Sequence, residues 1–210
     1  LAEYKRHDLL LRDMDRLVRL VAADDRPVQL LFAGEAHPDN ERGKQVIQRL
    51  FRLMTDERFK GRVAFLEDHD INVARHLAQG VDAWLNLPRR GREACGTSGQ
   101  KVLVNGGLNI SVRDGWWAEA FDEDVGFAVG PEDKPDSVEE EDARDHDALL
   151  HVLEEWVTPL YYDRDDAGLP RRWIAMQKAA IRQLAARFSA SRMIDDYVDR
   201  FYRPAASGSS

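Results

Sequence analysis

The segment EACGTSGQK, Glu93 to Lys101, carries the residue types and spacing best suited to chemistry. Gly96 and Gly99 flank Thr97 and Ser98 at a point where the loop after a strand enters a helix. Backbone N–H groups and the dipole at a helix start favour an anion, and glycine lets that anion approach the main chain. Thr97 can cap the helix or donate its hydroxyl to a phosphate oxygen. Lys101 follows one helical turn later and on the same face. It can act there as a point charge. In an apolar pocket it can instead lose its proton and form a Schiff base with an aldehyde cofactor. The spacing is neither the phosphate loop ending in GK[ST] nor the GxGxxG dinucleotide turn. On residue types alone, a capped helix with a surface lysine stays open beside these uses.

Other residues offer weaker signals. His37, before Pro38 at a strand end, could line a cleft or be a loop histidine without a catalytic duty. Arg89 and Arg90 could meet a substrate phosphate or simply pair with acidic neighbours. Trp116 and Trp117 resemble a sugar-stacking pair, but consecutive residues do not share a face, so one is expected in the core and one at an interface. The run from 131 to 147 (PEDKPDSVEEEDARDHD) reads as a solvated loop entering a helix. Its carboxylates follow no loop motif with fixed ligand positions, and no metal site is expected. Cys95, the single cysteine, excludes an internal disulfide framework and a thiolate zinc cluster, and it has no sequence partner that suggests a nucleophilic dyad.

The elements that must position these residues alternate. Apolar residues at helical spacing (Leu10, Met14, Leu17, Val18, Val21) predict an amphipathic helix over about 3–23, ended by Pro27. Short apolar runs at VQLLFAG (28–34), RVAFLED (62–68), VDAWLNL (81–87), LNISV (108–112) and VGFAVG (125–130) predict buried strands. Helices are expected between them, at 37–54 with Val46, Ile47, Leu50, Phe51 and Met54 inward, at 71–80, and after the glycine-rich stretch 88–107. The alternation predicts an α/β fold of parallel βαβ units. Three further helices are expected, around Leu149–Val157, Ile174–Phe188 and Ile194–Phe201, and then a tail without regular structure (204–210). With 30 basic and 38 acidic residues the formal net charge is −8, which argues against a nucleic-acid partner or an anionic membrane surface. No apolar run approaches the roughly 20 residues that span a bilayer, and no secretory signal is visible, so a cytoplasmic protein is expected.

FLEDHDINVARHLAQGVDAWLNLPRRGREACGTSGQK (65–101) and NGGLNISVRDGWWAEA (105–120) together resemble the C-terminal half of an α-glucan phosphorylase, the family of glycogen, starch and maltodextrin phosphorylases, in its bacterial branch. FAGEAHP (32–38) and PLYYDRD (159–165) extend the resemblance over residues 2 to 203. It implies a Rossmann-like parallel sheet with flanking helices, closed by C-terminal helices, the second domain of a two-domain glycosyltransferase of the GT-B type. The chain, 1–203, would then be an N-terminally truncated fragment. It also implies pyridoxal 5'-phosphate held by Lys101, with Gly96 and Thr97 on its phosphate and Lys5 reaching the same phosphate. Glu93, Ala94, Cys95 and Gly96 match the segment that binds the hydroxyls of a glucosyl unit. Lys101 and Glu93 are thus the expected catalytic pair. The implied reaction is reversible phosphorolysis of an α-1,4-glucan end, giving glucose 1-phosphate with retention.

The sequence also departs from the family pattern. Glu35 stands where the family usually has a lysine. His69 replaces a tyrosine expected on the cofactor phosphate, and can still donate to it. Cys95 and Gln100 replace a serine and a methionine. The implied partners are α-glucan, inorganic phosphate or glucose 1-phosphate, and the N-terminal domain of the same parent chain. Homodimerisation is open for the full-length protein. Two other readings remain: a nucleotide-sugar glycosyltransferase of the starch synthase type, which has no use for a lysine at 101, and a non-catalytic glucan-binding module.

Overall fold

The computed structural model describes residues 1–133 and 135–208. Five strands form where the apolar runs predict them: β1 (Leu30–Ala33), β2 (Val63–Leu66), β3 (Ala83–Asn86), β4 (Leu108–Val112) and β5 (Gly126–Val129). Every ladder is parallel, as βαβ alternation requires. The strands lie in two pieces, β1-β2 and β3-β4-β5. β4 is central and all five of its residues are buried.

The first three helices start on side-chain caps. Asp13 accepts from the Arg16 N–H (2.9 Å) at the head of α1 (Met14–Val21), and Asn40 from the Gly43 N–H (2.8 Å) at α2 (Glu41–Thr55). Asp70 accepts from the Asn72 and Val73 N–H groups (2.9 and 2.8 Å) at α3 (Ile71–Gly80). Each cap satisfies N–H groups that a helix start leaves free. α4 (Thr97–Val104) and the short α5 (Trp116–Ala120) follow β3 and β4. α6 (Val138–Val152) runs through a π turn at Leu153–Val157 into α7 (Thr158–Tyr162). Pro159 has no N–H to give a carbonyl one turn back, and the helix widens just ahead of it. α8 (Arg171–Leu184) packs on α4 and β4, and α9 (Ala190–Tyr197) leads to α10 (Arg203–Ser207).

Several expectations are corrected. The helix over 3–23 is two 3-10 turns, Glu3–Lys5 and Leu9–Arg12, followed by α1. Arg6 breaks it with a left-handed backbone (φ 47°), because its buried guanidinium turns away to the Leu87 carbonyl (2.9 Å), the Pro88 carbonyl (3.0 Å) and Asp145 (2.7 Å). The acidic run is not simply a solvated face. On α6, Glu141, Asp145 and His146 are buried. Arg90 donates to both Asp145 oxygens (2.8 Å each), and its backbone N–H to Glu141 (3.0 Å). Arg89 reaches Asp142 (3.1 Å). Burial works against the Asp142 charge, yet hydrogen bonds from Arg89 and Arg6 outweigh it and hold the carboxyl below the usual range. Arg89 and Arg90 are therefore structural ion-pair partners of α6.

Both tryptophans are core residues, at 4% and 1% exposure. Trp116 packs edge-on against Phe188, while the Trp117 indole N–H donates to the Phe127 carbonyl (3.2 Å). This short helix packs on β4 and buries both adjacent side chains, whose rings lie 5.1 Å apart. Phe51, expected inward, is exposed, as are Ile181, Ile194 and Phe201 of the C-terminal helices. α8 buries Trp173, Ala180 and Leu184 instead. Residues 204–207, expected without regular structure, belong to α10, and Ser209 and Ser210 lie outside the described residues.

The His7 imidazole, near the start of the chain, has a shifted titration. Burial first, then the charges of the amino terminus and Lys5, push its pKa down to about 4, with Asp8 opposing. The folded chain keeps it neutral where the unfolded chain, near 6.5, takes up a proton. Stability therefore falls as pH drops from 6.5 to about 4, by about 3 kcal/mol. We expect His7→Gln to flatten that stretch of a stability–pH curve measured by urea unfolding; an unchanged slope would assign it elsewhere. Asp145→Ala leaves two buried guanidinium groups short of a partner and is expected to cost about 3–5 kcal/mol. Asp147→Ala, at an exposed carboxylate on the same helix, should stay within about 0.5 kcal/mol in the same assay.

Candidate functional site

In a parallel sheet the loops beyond the C-terminal strand ends gather on one edge, where ligands usually bind. Glu35 follows β1, His69 follows β2, Asn86 ends β3, Asp114 follows β4 and Gly130 follows β5. The segment Glu93 to Lys101 lies on this edge, and its shape is set by groups outside it. One Asp114 oxygen accepts from the N–H groups of Arg92 (3.0 Å) and Glu93 (2.9 Å), and the other from Gly115 (2.9 Å). The Trp116 N–H donates to the Cys95 carbonyl (2.8 Å). At Gly115 (φ 54°) a Cβ would sit 2.6 Å from that carbonyl oxygen, so only glycine fits between the two loops.

Gly96 begins α4 in the left-handed region (φ 89°), and no side chain caps the helix. Its first N–H groups are therefore open, with the Thr97 hydroxyl exposed beside them. α4 is pinned below by Asn109 of β4, whose amide donates to the Gly99 carbonyl (3.1 Å). A Cβ at Gly99 would meet Asn109 Oδ1 at 2.3 Å, a close approach that fixes how the helix lies on the sheet. Lys101 is exposed, on the face of Thr97, and its ammonium has no ion-pair or hydrogen-bond partner among the described residues.

Lys5 and Glu93 meet directly. The Lys5 ammonium donates to Glu93 Oε1 and to Asn86 Oδ1 (3.1 Å). The Glu93 side chain is 3% exposed, so this pair holds a carboxylate inside the protein. Glu93 lies against Gly96, where a Cβ would stand 2.9 Å from its Oε1. Tyr4 closes the other side; burial, then the Glu93 charge, raises its phenol pKa. Ala94 and Cys95 are exposed, and Gln100 approaches the Cys95 sulfur at 3.7 Å.

The structure thus brings Lys5, Glu93 and Gly96 into contact and sets Thr97 and Lys101 on one helix face. His69 stands apart from these contacts, and its side chain has no hydrogen-bond partner among the described residues. Glu35 presents an exposed side chain, and His37 is exposed with its Nδ1 accepting from the Asp39 N–H (3.2 Å). Asn86, Asp114 and Tyr4 were not singled out from sequence. A polar residue at the end of an apolar strand run was the available signal for the first two.

Comparison with known proteins gives the family. A family model described as carbohydrate phosphorylase matches residues 1–149. The chain is 45% identical to the glycogen phosphorylase of Aquifex aeolicus, over 95% of this chain and 28% of that protein. It is 44% identical to the glycogen phosphorylase of Mycobacterium tuberculosis, over 97% of this chain and 24% of that protein. The maltodextrin phosphorylase of Thermococcus litoralis is 42% identical over 97% of this chain and 24% of its own length. The chain spans about a quarter of the length of these relatives. The chain belongs to the carbohydrate phosphorylase family.

Proposed function

We propose that these residues form the cofactor-bearing part of an α-glucan phosphorylase that transfers a glucosyl unit from an α-1,4-glucan end to inorganic phosphate. The observation that carries this reading is the head of α4, an uncapped helix start with Thr97 and Lys101 on one exposed face and Glu93 packed against Gly96. These features suit pyridoxal phosphate. The open amides and the Thr97 hydroxyl would take its phosphate, and the unpartnered Lys101 amine its aldehyde. The cofactor's phosphate supplies acid–base chemistry beside the substrate phosphate when bound. Glu93, with Ala94, Cys95 and Gly96, would hold sugar hydroxyls. Lys5 is held by Glu93 and Asn86 at the same edge, and its ammonium would serve the phosphates there. His69 is the remaining candidate donor to the cofactor phosphate.

The parent protein would act in the cytoplasm, with the opposite wall of its cleft supplied by its N-terminal domain and with glucose 1-phosphate as the product. A nucleotide-sugar transferase gives Lys101 no task, and the named relatives do not favour it.

Borohydride reduction with pyridoxal phosphate, followed by peptide mapping, tests this reading. Label confined to Lys101, and lost in Lys101→Ala, is the expected result. Label scattered over surface lysines would sink it and leave a glucan-binding module. In the complete gene product, Glu93→Gln should lower kcat/KM for glucan phosphorolysis about tenfold or more, the worth of a hydrogen bond to a charged group. The 210 residues alone should release no measurable glucose 1-phosphate, since on this reading half of the cleft would lie outside them.

A further inference from the structure

A cavity of about 240 Å³ opens between α2, the two 3-10 turns, the loop after β3 and α6. Its lining carries five guanidinium groups against three carboxylates, in a chain whose formal net charge is −8. Positive charge gathered in one recess of an acidic protein focuses its field on a small anion. Every cation of the lining is an arginine, the side chain whose planar fork matches an oxyanion two hydrogen bonds at a time.

The five arginines differ in what holds them. Arg6 is engaged by Asp145 (2.7 Å) and Asp142 (3.1 Å), and Arg89 by Asp142 (2.9 Å) and Glu141 (3.3 Å). These two make a rigid floor. Arg49 pairs with Asp8 (2.7 Å), whereas Arg12 has only a loose contact with Asp142 (3.7 Å). The Arg42 guanidinium has no ion-pair or hydrogen-bond partner among the described residues. Arg42 and Arg49 stand about two turns apart on one face of α2. His7 lines the same cavity, and its ring makes no hydrogen bond among the described residues. Burial keeps that ring uncharged, so it can offer one N–H to an acceptor.

We propose that this cavity binds a small oxyanion of the phosphate class, gripped by Arg12, Arg42 and Arg49 with the His7 N–H beside them. A recess of this volume takes a small molecule, not a polymer strand. None of Lys5, Glu93, Thr97 and Lys101 lines it, so the site is separate from the head of α4 and does not rest on the cofactor. The backbone nevertheless joins the two. The Arg89 N–H donates to the Tyr4 carbonyl (2.8 Å), and Tyr4 adjoins Lys5. An anion that bridges α2 to the Arg89 floor would fasten the turn that carries Lys5.

An NMR titration of the 210-residue chain tests it, with inorganic phosphate and glycerol phosphate as probes. The His7 ring signals and the Nε–H signals of Arg12, Arg42 and Arg49 should shift together and saturate, with a Kd of about 1 mM or below for the better probe. Tighter binding of the first probe gives the cavity to free phosphate, tighter binding of the second to a phosphate ester; either supports the site. Replacing Arg12 and Arg42 together by Ala should weaken binding about tenfold or more. Arg42→Gln, at an exposed position, gives the same direction if the double variant does not fold. Thr97→Ala should leave the titration unchanged. Shifts that never saturate, or saturation that survives loss of the arginines, overturn the proposal. Binding lost in Thr97→Ala overturns it too, since the anion then sits at α4. At ten times the Kd the Arg89 amide should exchange about tenfold more slowly, and unchanged exchange there would overturn the fastening of the Lys5 turn.

Discussion

The arrangement depends on one buried cluster of charge. Asp145 is completely covered and held by two guanidinium groups, Arg6 at 2.7 Å and Arg90 at 2.8 Å, with Glu141 and Asp142 completing the set. These groups come from the first turn, the loop after β3 and α6, so their pairing ties three distant stretches of chain to one point. Removing a charge from water costs several kcal/mol, and only well-made pairs recover it. The cluster therefore tolerates little displacement. Lys5 and Tyr4 precede Arg6 directly, and Glu93 follows Arg90 by three residues, so the clamp also fixes the two sides of the Lys5–Glu93 pair. Gly130 shows how tightly it is built: a Cβ there would stand 2.2 Å from Asp145 Oδ1.

Above that foundation, the site is shaped by close backbone approaches. Asp114 gathers three N–H groups, and Gly115 lets the β4 loop touch the Cys95 carbonyl. Asn109 draws α4 onto the sheet. The result is a helix start whose amides have no side-chain cap among the described residues, next to a lysine without a partner among them. Stabilising such groups in the open state costs folding energy that a ligand can return, and functional sites commonly show this imbalance.

What the sequence displayed were local patterns. All five strands fall inside the apolar runs read for them, and α3 (Ile71–Gly80) starts and ends where periodicity and Gly80 placed it. The segment around Lys101 was recognisable because glycines, hydroxyl residues and a lysine share one short stretch. Hidden from view was whatever depends on partners far away in sequence. The break at Arg6 is caused by an aspartate 139 residues later, and no local preference announces a left-handed arginine. Glu141 and Asp145 look like solvated acids until Arg6 and Arg90 are placed beside them. Both tryptophans of α5 are buried in one aromatic cluster with Phe121 and Phe188, which a single-face rule does not anticipate. The role of Asp114 was concealed because its partners are backbone N–H groups, which leave no trace in residue type.

The distance along the chain between Arg6 and Asp145 also sets an order of events during synthesis. Their contact joins residues 139 apart. At translation rates of about 5–20 residues per second, roughly 7–30 s separate the appearance of the arginine from that of its carboxylate. Through that interval the first turn carries an unneutralised guanidinium that cannot yet be buried, so the residues around Lys5 have no anchor. The nascent chain must keep its early β-strands soluble and unpaired with the wrong neighbours until α6 has emerged. Folding of this region is therefore gated by the arrival of α6, and a ribosome that stalls before Asp145 leaves the edge around Lys5 and Glu93 unformed.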